Sequence, residues 1–316
     1  MTGMPARFPV PDACRDDERW PQRQPWCDRL PGIAEAMAQR WRLTPDGSPM
    51  FGFLSVVWPV RGDTGRPMVL KIHDHSPGTD GERLALEAAQ GDGLVQLLAS
   101  EPTMNALLLQ RLDAARTLES PEVDVDTACE LIGDIVARVS SRPAPSGLRC
   151  VADVADGLHA STTAMLDRTP AALPRGLADR GLETLKTVAA QARAAPQPLP
   201  LVHGDLGYQN VLHTLPETQP AWVAIDPLPA AGQPEWEVAP AIRNRWEDAV
   251  ASGDADRALR RRFDIICERA SLDRELARRI LQAIAVDNVL WLSMDDGSAN
   301  GIQRSFLAPY SLVARW

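Results

Sequence analysis

Asp205, Asn210 and Asp226 are the side chains best placed to do chemistry in this 316-residue chain. Asn210 follows Asp205 by five residues, and Asp226 closes an apolar run further on. A carboxylate accepts protons and binds hard cations, and an asparagine carbonyl binds hard cations without adding charge. Asp beside Gly usually caps a turn, but three spaced polar groups between apolar runs favour a site. Phosphoryl transfer from ATP asks for such a set. It needs one carboxylate for the proton of the attacking hydroxyl, oxygen ligands for Mg²⁺ and a cation on the phosphate tail. Asp205 suits the proton, and Asn210 and Asp226 suit the metal. For the cation, Lys71 stands out, because the chain has two lysines, Lys71 and Lys186, against 31 arginines.

These groups need elements to position them. An apolar run at 199–202 leads into His203-Gly204-Asp205, a short apolar pair follows at 211–212, and 221–225 is apolar again. Strand, polar loop, short strand, turn, strand is the parse that fits. It brings Asp205, Asn210 and Asp226 to the same ends of neighbouring strands. With Asp205 as the base, His203 is left to brace the loop by hydrogen bonding. Residues 68–72, Met-Val-Leu-Lys-Ile, read as a buried strand. An inward lysine is costly unless paired, and Glu82 and Glu87 both lie in the predicted helix 81–90. Upstream, 50–61 reads as a strand with a turn at Gly52, followed by a hairpin turn at 61–65. Two further runs, 94–99 and 106–112, are separated by a turn at 100–102. Beyond Asp113 the period becomes helical: Cys129, Ile132, Ile135, Val136 and Val139 share a face, and similar stripes recur at 151–165, 182–192 and 260–291.

The segment reads His-Gly-Asp-x-x-x-x-Asn, then an apolar strand ending in Asp226. It resembles the protein-kinase catalytic loop and the aspartate that follows it. With Gly204 after the histidine, it is similar to the aminoglycoside phosphotransferases. Within them it is most like the aminoglycoside/hydroxyurea resistance kinases, the streptomycin 6-phosphotransferase group. The resemblance spans about residues 45–297. It implies an α+β, bilobal protein-kinase-like fold with a small antiparallel β N-lobe and a larger, mainly helical C-lobe. The implied division is an N-terminal extension at 1–30, an N-lobe at 31–112 and a C-lobe at 113–316. It implies ATP and Mg²⁺ in the cleft, with Asp205 as base, Asn210 and Asp226 on the metal and Lys71 on the α- and β-phosphates. Glu82 becomes the expected partner of Lys71, since it precedes Ala85-Leu86 as the family's glutamate precedes its Ala-Leu pair. Gly52 and Ser55 match a Gly-x-x-Ser segment that stands where protein kinases carry a glycine-rich loop. Residues 106–112, Ala-Leu-Leu-Leu-Gln-Arg-Leu, resemble the family hinge, which implies adenine on backbone groups of Gln110 and Leu112. Glu237, in Trp-Glu-Val-Ala, stands where an aspartate usually tethers the catalytic loop. Asp295 and Asp296 lie in a segment like the group's closing one and would face a polyamine acceptor. Pro227 replaces the Phe-Gly of regulated kinases, so their mobile switch is not expected. The implied activity is phosphoryl transfer from ATP to a hydroxyl of a small molecule, an aminoglycoside such as streptomycin.

Bulk properties agree. Hydrophobic residues are 45% and charged residues 24%, an ordinary globular balance. The net charge of −9 argues against nucleic acid and suits a cationic acceptor. Five scattered cysteines, with no Cys-x-x-Cys, indicate neither a disulfide framework nor a zinc site. No signal peptide or apolar span is read, so a cytoplasmic location and no membrane partner are expected.

Overall fold

The structure is a computed structural model; residues 7–15, 23–52, 54–74, 80–169, 173–196, 198–216, 218, 221–294 and 308–316 are described. The first part of the chain builds α1 (Asp12–Arg15), α2 (Gln24–Trp41), β1 (Thr44–Pro45), β2 (Met50–Phe51), β3 (Ser55–Arg61), β4 (Pro67–His73), α3 (Asp80–Ala89), β5 (Leu97–Glu101) and β6 (Ala106–Gln110). Its strands form one antiparallel sheet in the order β1-β3-β4-β6-β5, with β2 beside β3.

Strand alternation decides what each sheet face does. Leu70, Ile72, Ala106 and Leu108 join the cluster that α2 covers with Trp26, Leu30, Ala34 and Met37. Leu107 and Leu109 point the other way, into the main core with Ala85 and Leu86 of α3. Lys71 alternates with Leu70 and Ile72, and it pairs across the sheet with Leu107. The period therefore turns Lys71 towards α3 and the larger lobe.

Two details depart from the sequence reading. The expected N-terminal extension at 1–30 already contains the start of α2 at Gln24, with a proline in the helix's first turn, where a missing N–H costs nothing. Pro31 removes one hydrogen bond inside α2, yet the helix continues because Trp26, Cys27, Leu30, Ala34 and Met37 are buried on both sides of it. Phe8 and Cys14 are buried in the same cluster, so the described parts of the expected N-terminal extension pack into the core. The turn expected at 100–102 falls at Pro102–Met104, with Asn105 at φ 48°. Ser100 and Glu101 are held in β5 by pairing with Leu107 and Ala106.

The remainder is mainly helical: β7 (Leu112–Thr117), α4 (Val125–Ser140), β8 (Arg149–Cys150), α5 (Val151–Arg168), α6 (Arg175–Ala194), β9 (Leu201–Val202), β10 (Val211–Thr214), β11 (Trp222–Ala224), β12 (Ala230–Ala231), α7 (Val238–Arg243), α8 (Trp246–Ala251), α9 (Ala255–Ala270) and α10 (Arg274–Met294). The stripe Cys129, Ile132, Ile135, Val136 and Val139 is buried on α4, as the period predicts. Two small sheets hold the site. One is β11-β10-β7, and the other is β8-β12-β9. No described helix is long and apolar enough to cross a membrane.

Candidate active site

Lys71 is almost fully buried and well paired. Its Nζ lies 2.9 and 2.8 Å from Glu82 Oε1 and Oε2 and 2.7 Å from Asp226 Oδ1. Burial alone would pull the ammonium's pKa down, but the charges of Glu82 and Asp226 outweigh it, and the net direction is up. Burial would likewise raise the Glu82 pKa, yet Lys71 and then His73 bring it to about 2. His73 Nε2 stands 2.7 Å from Glu82 Oε2, an ion-pair distance without the alignment of a hydrogen bond. Glu87, the other candidate partner, is occupied elsewhere by Arg83 at 2.8 Å.

The loop between β9 and β10 is fastened from below. Glu237 Oε1 accepts the His203 amide and, at 3.1 Å, the Gly204 amide. Burial raises the Glu237 pKa to about 7, against the lowering effect of those two amides. His203 is buried with both ring nitrogens occupied. Nδ1 accepts the Asp205 amide at 3.2 Å, and Nε2 donates to the Ile225 carbonyl at 3.1 Å. That pattern needs the neutral ring, and burial lowers its pKa accordingly. A histidine committed at both ends is a brace, not a base. Gly204 has φ +82°, and a Cβ there would collide with the Leu228 carbonyl oxygen. Glycine is thus required where the chain after Asp226 folds back over the loop.

Asp205 and Asn210 face the same space. Asn210 Nδ2 donates to the Asp205 carbonyl at 2.8 Å and to Asp205 Oδ2 at 3.2 Å. Arg243 Nη2, from the end of α7, donates to Asp205 Oδ1 at 2.5 Å. Asp226 follows β11 with φ +55°, a left-handed conformation that aspartate tolerates better than most residues, and its side chain is about half exposed. Lys71, Glu82, Asp205, Asn210 and Asp226 all line one hollow of about 610 Å³ between the six-stranded sheet and the helical part. That volume is of the size small-molecule sites occupy.

Residues 40–297 match the aminoglycoside/hydroxyurea antibiotic resistance kinases. A streptomycin 6-kinase of Streptomyces glaucescens is 39% identical over 87% of this chain and 87% of its own length. The chain belongs to this family. It is an ATP-dependent small-molecule kinase with the bilobal α+β fold. A hydroxyurea phosphotransferase of Kitasatospora aureofaciens is 36% identical, over 90% of this chain and 79% of its own. A crystal structure of a choline/ethanolamine kinase family protein from Mesorhizobium loti shares the fold. Its TM-score is 0.53 at 16% identity, covering 89% of this chain and 94% of that one.

Some expected residues of the kinase lie apart from the hollow. Gly52 closes the β2–β3 hairpin through its amide on the Ser55 carbonyl at 2.9 Å, while Ser55 reaches the hollow's wall. Gln110 and Leu112 sit where β6 passes into β7, outside the residues lining it. The Gln110 amide is taken by the Gln96 carbonyl at 2.9 Å. Asp295 and Asp296 lie outside the described residues. Arg243 and Arg149 were not found from the sequence. Neither carries a pattern, in a chain with 31 arginines, that separates it from the others.

Replacing Glu237 separates its acceptor role from its charge. Glu237→Ala orphans the buried amides of His203 and Gly204, at about 1–3 kcal/mol for each. Glu237→Gln keeps an acceptor and stays folded. A carboxyl whose folded pKa is raised binds its proton more tightly folded than unfolded. Its contribution to stability therefore falls as pH rises from the usual 4.5 to about 7, then levels. Denaturation midpoints should show wild type gaining on Glu237→Gln as pH drops from 8 to 5. A gap that does not move with pH would contradict the assignment.

Proposed function

We propose that this kinase transfers the γ-phosphoryl group of ATP to a hydroxyl of a cationic aminoglycoside of the streptomycin type. One observation carries the reading: Lys71, far from the other three in the sequence, lines one hollow with Asp205, Asn210 and Asp226. Similarity to a streptomycin 6-kinase and the acidic charge of −9 support the choice of acceptor. In this reading residues 31–112 form the nucleotide lobe and 113–316 the lobe that takes the acceptor. ATP as donor places the reaction in the cytoplasm.

Asp205 takes the proton of the acceptor hydroxyl as its oxygen bonds to the γ-phosphorus, and the bond to the β-bridging oxygen breaks with its electron pair leaving on ADP. Arg243 holds the Asp205 carboxylate in place through Oδ1 and leaves Oδ2 beside Asn210. Lys71, fixed by Glu82, meets the α- and β-phosphates, and backbone groups of Gln110 and Leu112 meet adenine. Asn210 and Asp226 fit a Mg²⁺ ion. Both offer oxygen, and the Asn210 nitrogen is committed to Asp205. Asp226 opens onto the hollow. Two protein oxygens suffice, because Mg²⁺ keeps waters and phosphate oxygens as its other ligands. Bound there, the ion would neutralise charge that builds on the phosphates.

The acceptor is tested by incubating the kinase with Mg²⁺, ATP and streptomycin and looking for one added phosphoryl group by mass spectrometry. Hydroxyurea belongs in the same panel, because a relative of nearly equal identity is named for it. Amino sugars and nucleoside antibiotics complete it. Phosphorylation of another acceptor but not streptomycin would move the reading to that molecule. Nucleotide binding without turnover on any acceptor would reduce the chain to a nucleotide-binding homologue. The metal role is tested with Asp226→Ala. Mg²⁺-nucleotide affinity should fall by at least the ~10- to 100-fold typical of losing a group that supports a metal. Unchanged affinity by calorimetry would refute it.

A further inference from the structure

Most charges around the hollow are matched, although Asp80, which also lines it, makes no ion pair among the described residues. Lys71 is held by Glu82 and Asp226, His73 stands against Glu82, and Asp205 is held by Arg243. Arg149 is different. It lines the same hollow, and among the described residues no carboxylate comes within ion-pair distance of it. The residue as a whole is exposed, and the protein atoms packed along it lower its pKa. A cation left unmatched in a cleft of an acidic protein calls for an anionic ligand.

Its position is built. Arg149 is on β8, where it pairs with Ala230 of β12, and Ala230 pairs on its other side with Val202 of β9. Val202 is the residue before His203, so one short sheet registers Arg149 against the start of the catalytic loop. Arg149 Nη2 donates to the Leu228 carbonyl at 2.9 Å, and Leu228 donates its own amide to the His203 carbonyl at 2.8 Å. A Cβ at Gly204 would stand 3.7 Å from Arg149 Nη2. The guanidinium is therefore pinned by one N–H beside the residue that precedes Asp205. Four further N–H donors of its planar fork remain.

We infer that Arg149 binds the γ-phosphoryl group of the nucleotide and stabilises the charge on it as it moves to the acceptor. The inference rests on the phosphotransferase reading above. A magnesium-bound triphosphate still carries excess negative charge, and the charge of Lys71 is already matched by carboxylates. An arginine that lines the hollow beside Gly204, the residue before the base, supplies a further cation on the side where the bond is made. Its fork also matches phosphoryl oxygens better than a lysine would.

The test compares Arg149→Met and Arg149→Lys with wild type, all as the full chain. Calorimetry would measure Mg²⁺-ADP and a Mg²⁺-bound non-hydrolysable ATP analogue, and melting temperature would report the fold. Arg149→Met should bind ADP as wild type does, bind the triphosphate analogue at least about tenfold more weakly, and lose ~10²- to 10³-fold in turnover. Arg149→Lys, which keeps the charge, should recover part of the triphosphate preference. Equal weakening of both nucleotides would mean that Arg149 acts only on the loop through Leu228, and would overturn the proposal. Unchanged binding of both would overturn it too. Failure of the wild type itself to bind either nucleotide would sink the phosphotransferase reading and this inference together, so the two failures are distinguishable.

Discussion

Asp205→Ala lowers turnover by about 10²- to 10⁴-fold while the protein still folds and still binds nucleotide. The size is that of a missing general base. The fold survives because the side chain does little structural work. Asn210 Nδ2 keeps its bond to the Asp205 main-chain carbonyl at 2.8 Å. The His203 and Gly204 amides remain on Glu237. The Asp205 amide stays on His203 Nδ1. Arg243 loses a carboxylate that is itself about one-third exposed, a loss that solvent largely repairs. Asp205→Asn should be nearly as slow, since it keeps size and hydrogen bonding but takes no proton. Steady-state turnover with the identified acceptor, beside melting temperature and ADP affinity, checks the expectation. Turnover near wild type in either variant would remove Asp205 from the chemistry and leave the doubly bonded His203 unable to replace it.

The second large effect falls on stability and activity at once. Lys71→Met should cost about 3–5 kcal/mol, the usual penalty for breaking a buried ion pair by removing one partner. Glu82 is then buried without its cation. In the wild type its lowered pKa means a contribution to stability that is complete above 4.5 and is lost as pH falls towards about 2. Without Lys71 burial dominates and the sign reverses, so the variant should be least stable at neutral pH and recover as pH falls. Adding Glu82→Gln should restore much of the stability and none of the activity. Phosphates misplaced by the loss of Lys71 should lower turnover about 100-fold or more. Urea midpoints at pH 5 and 8, with turnover for both variants, separate the two effects. A double variant that regained activity would show that Lys71 serves only to neutralise Glu82.

The catalytic loop was legible because its signal is local. His203, Gly204, Asp205 and Asn210 lie within one turn between short apolar runs, and a spacing read along the chain is nearly a distance in space. Lys71 was legible for a related reason: a charged residue inside an apolar alternation must face something. The helix start at Gln24 was not, because proline in the sequence suggests a break, and only the buried stripe of Trp26 and Cys27 reveals the helix.

What the chain alone determined, then, is which groups are candidates for the proposed chemistry and which strands carry them, since residue type and period-two alternation act over a few residues. The tertiary structure decided the partners. Glu82 and Glu87 are five positions apart, about 140° around a helix; the helical pattern leaves both open, the family resemblance points to Glu82, and the docking of α3 brings Glu82 to Lys71. Lys71 and Asp226, far apart in sequence, meet within 2.7 Å because packing of the sheet against the helical part puts them there. Arg243 reaches Asp205 from the end of α7, and Arg149 reaches the loop through a three-stranded sheet with only two residues in each strand. Such contacts leave no local pattern, because their geometry is set by how separate elements pack and not by neighbours along the chain.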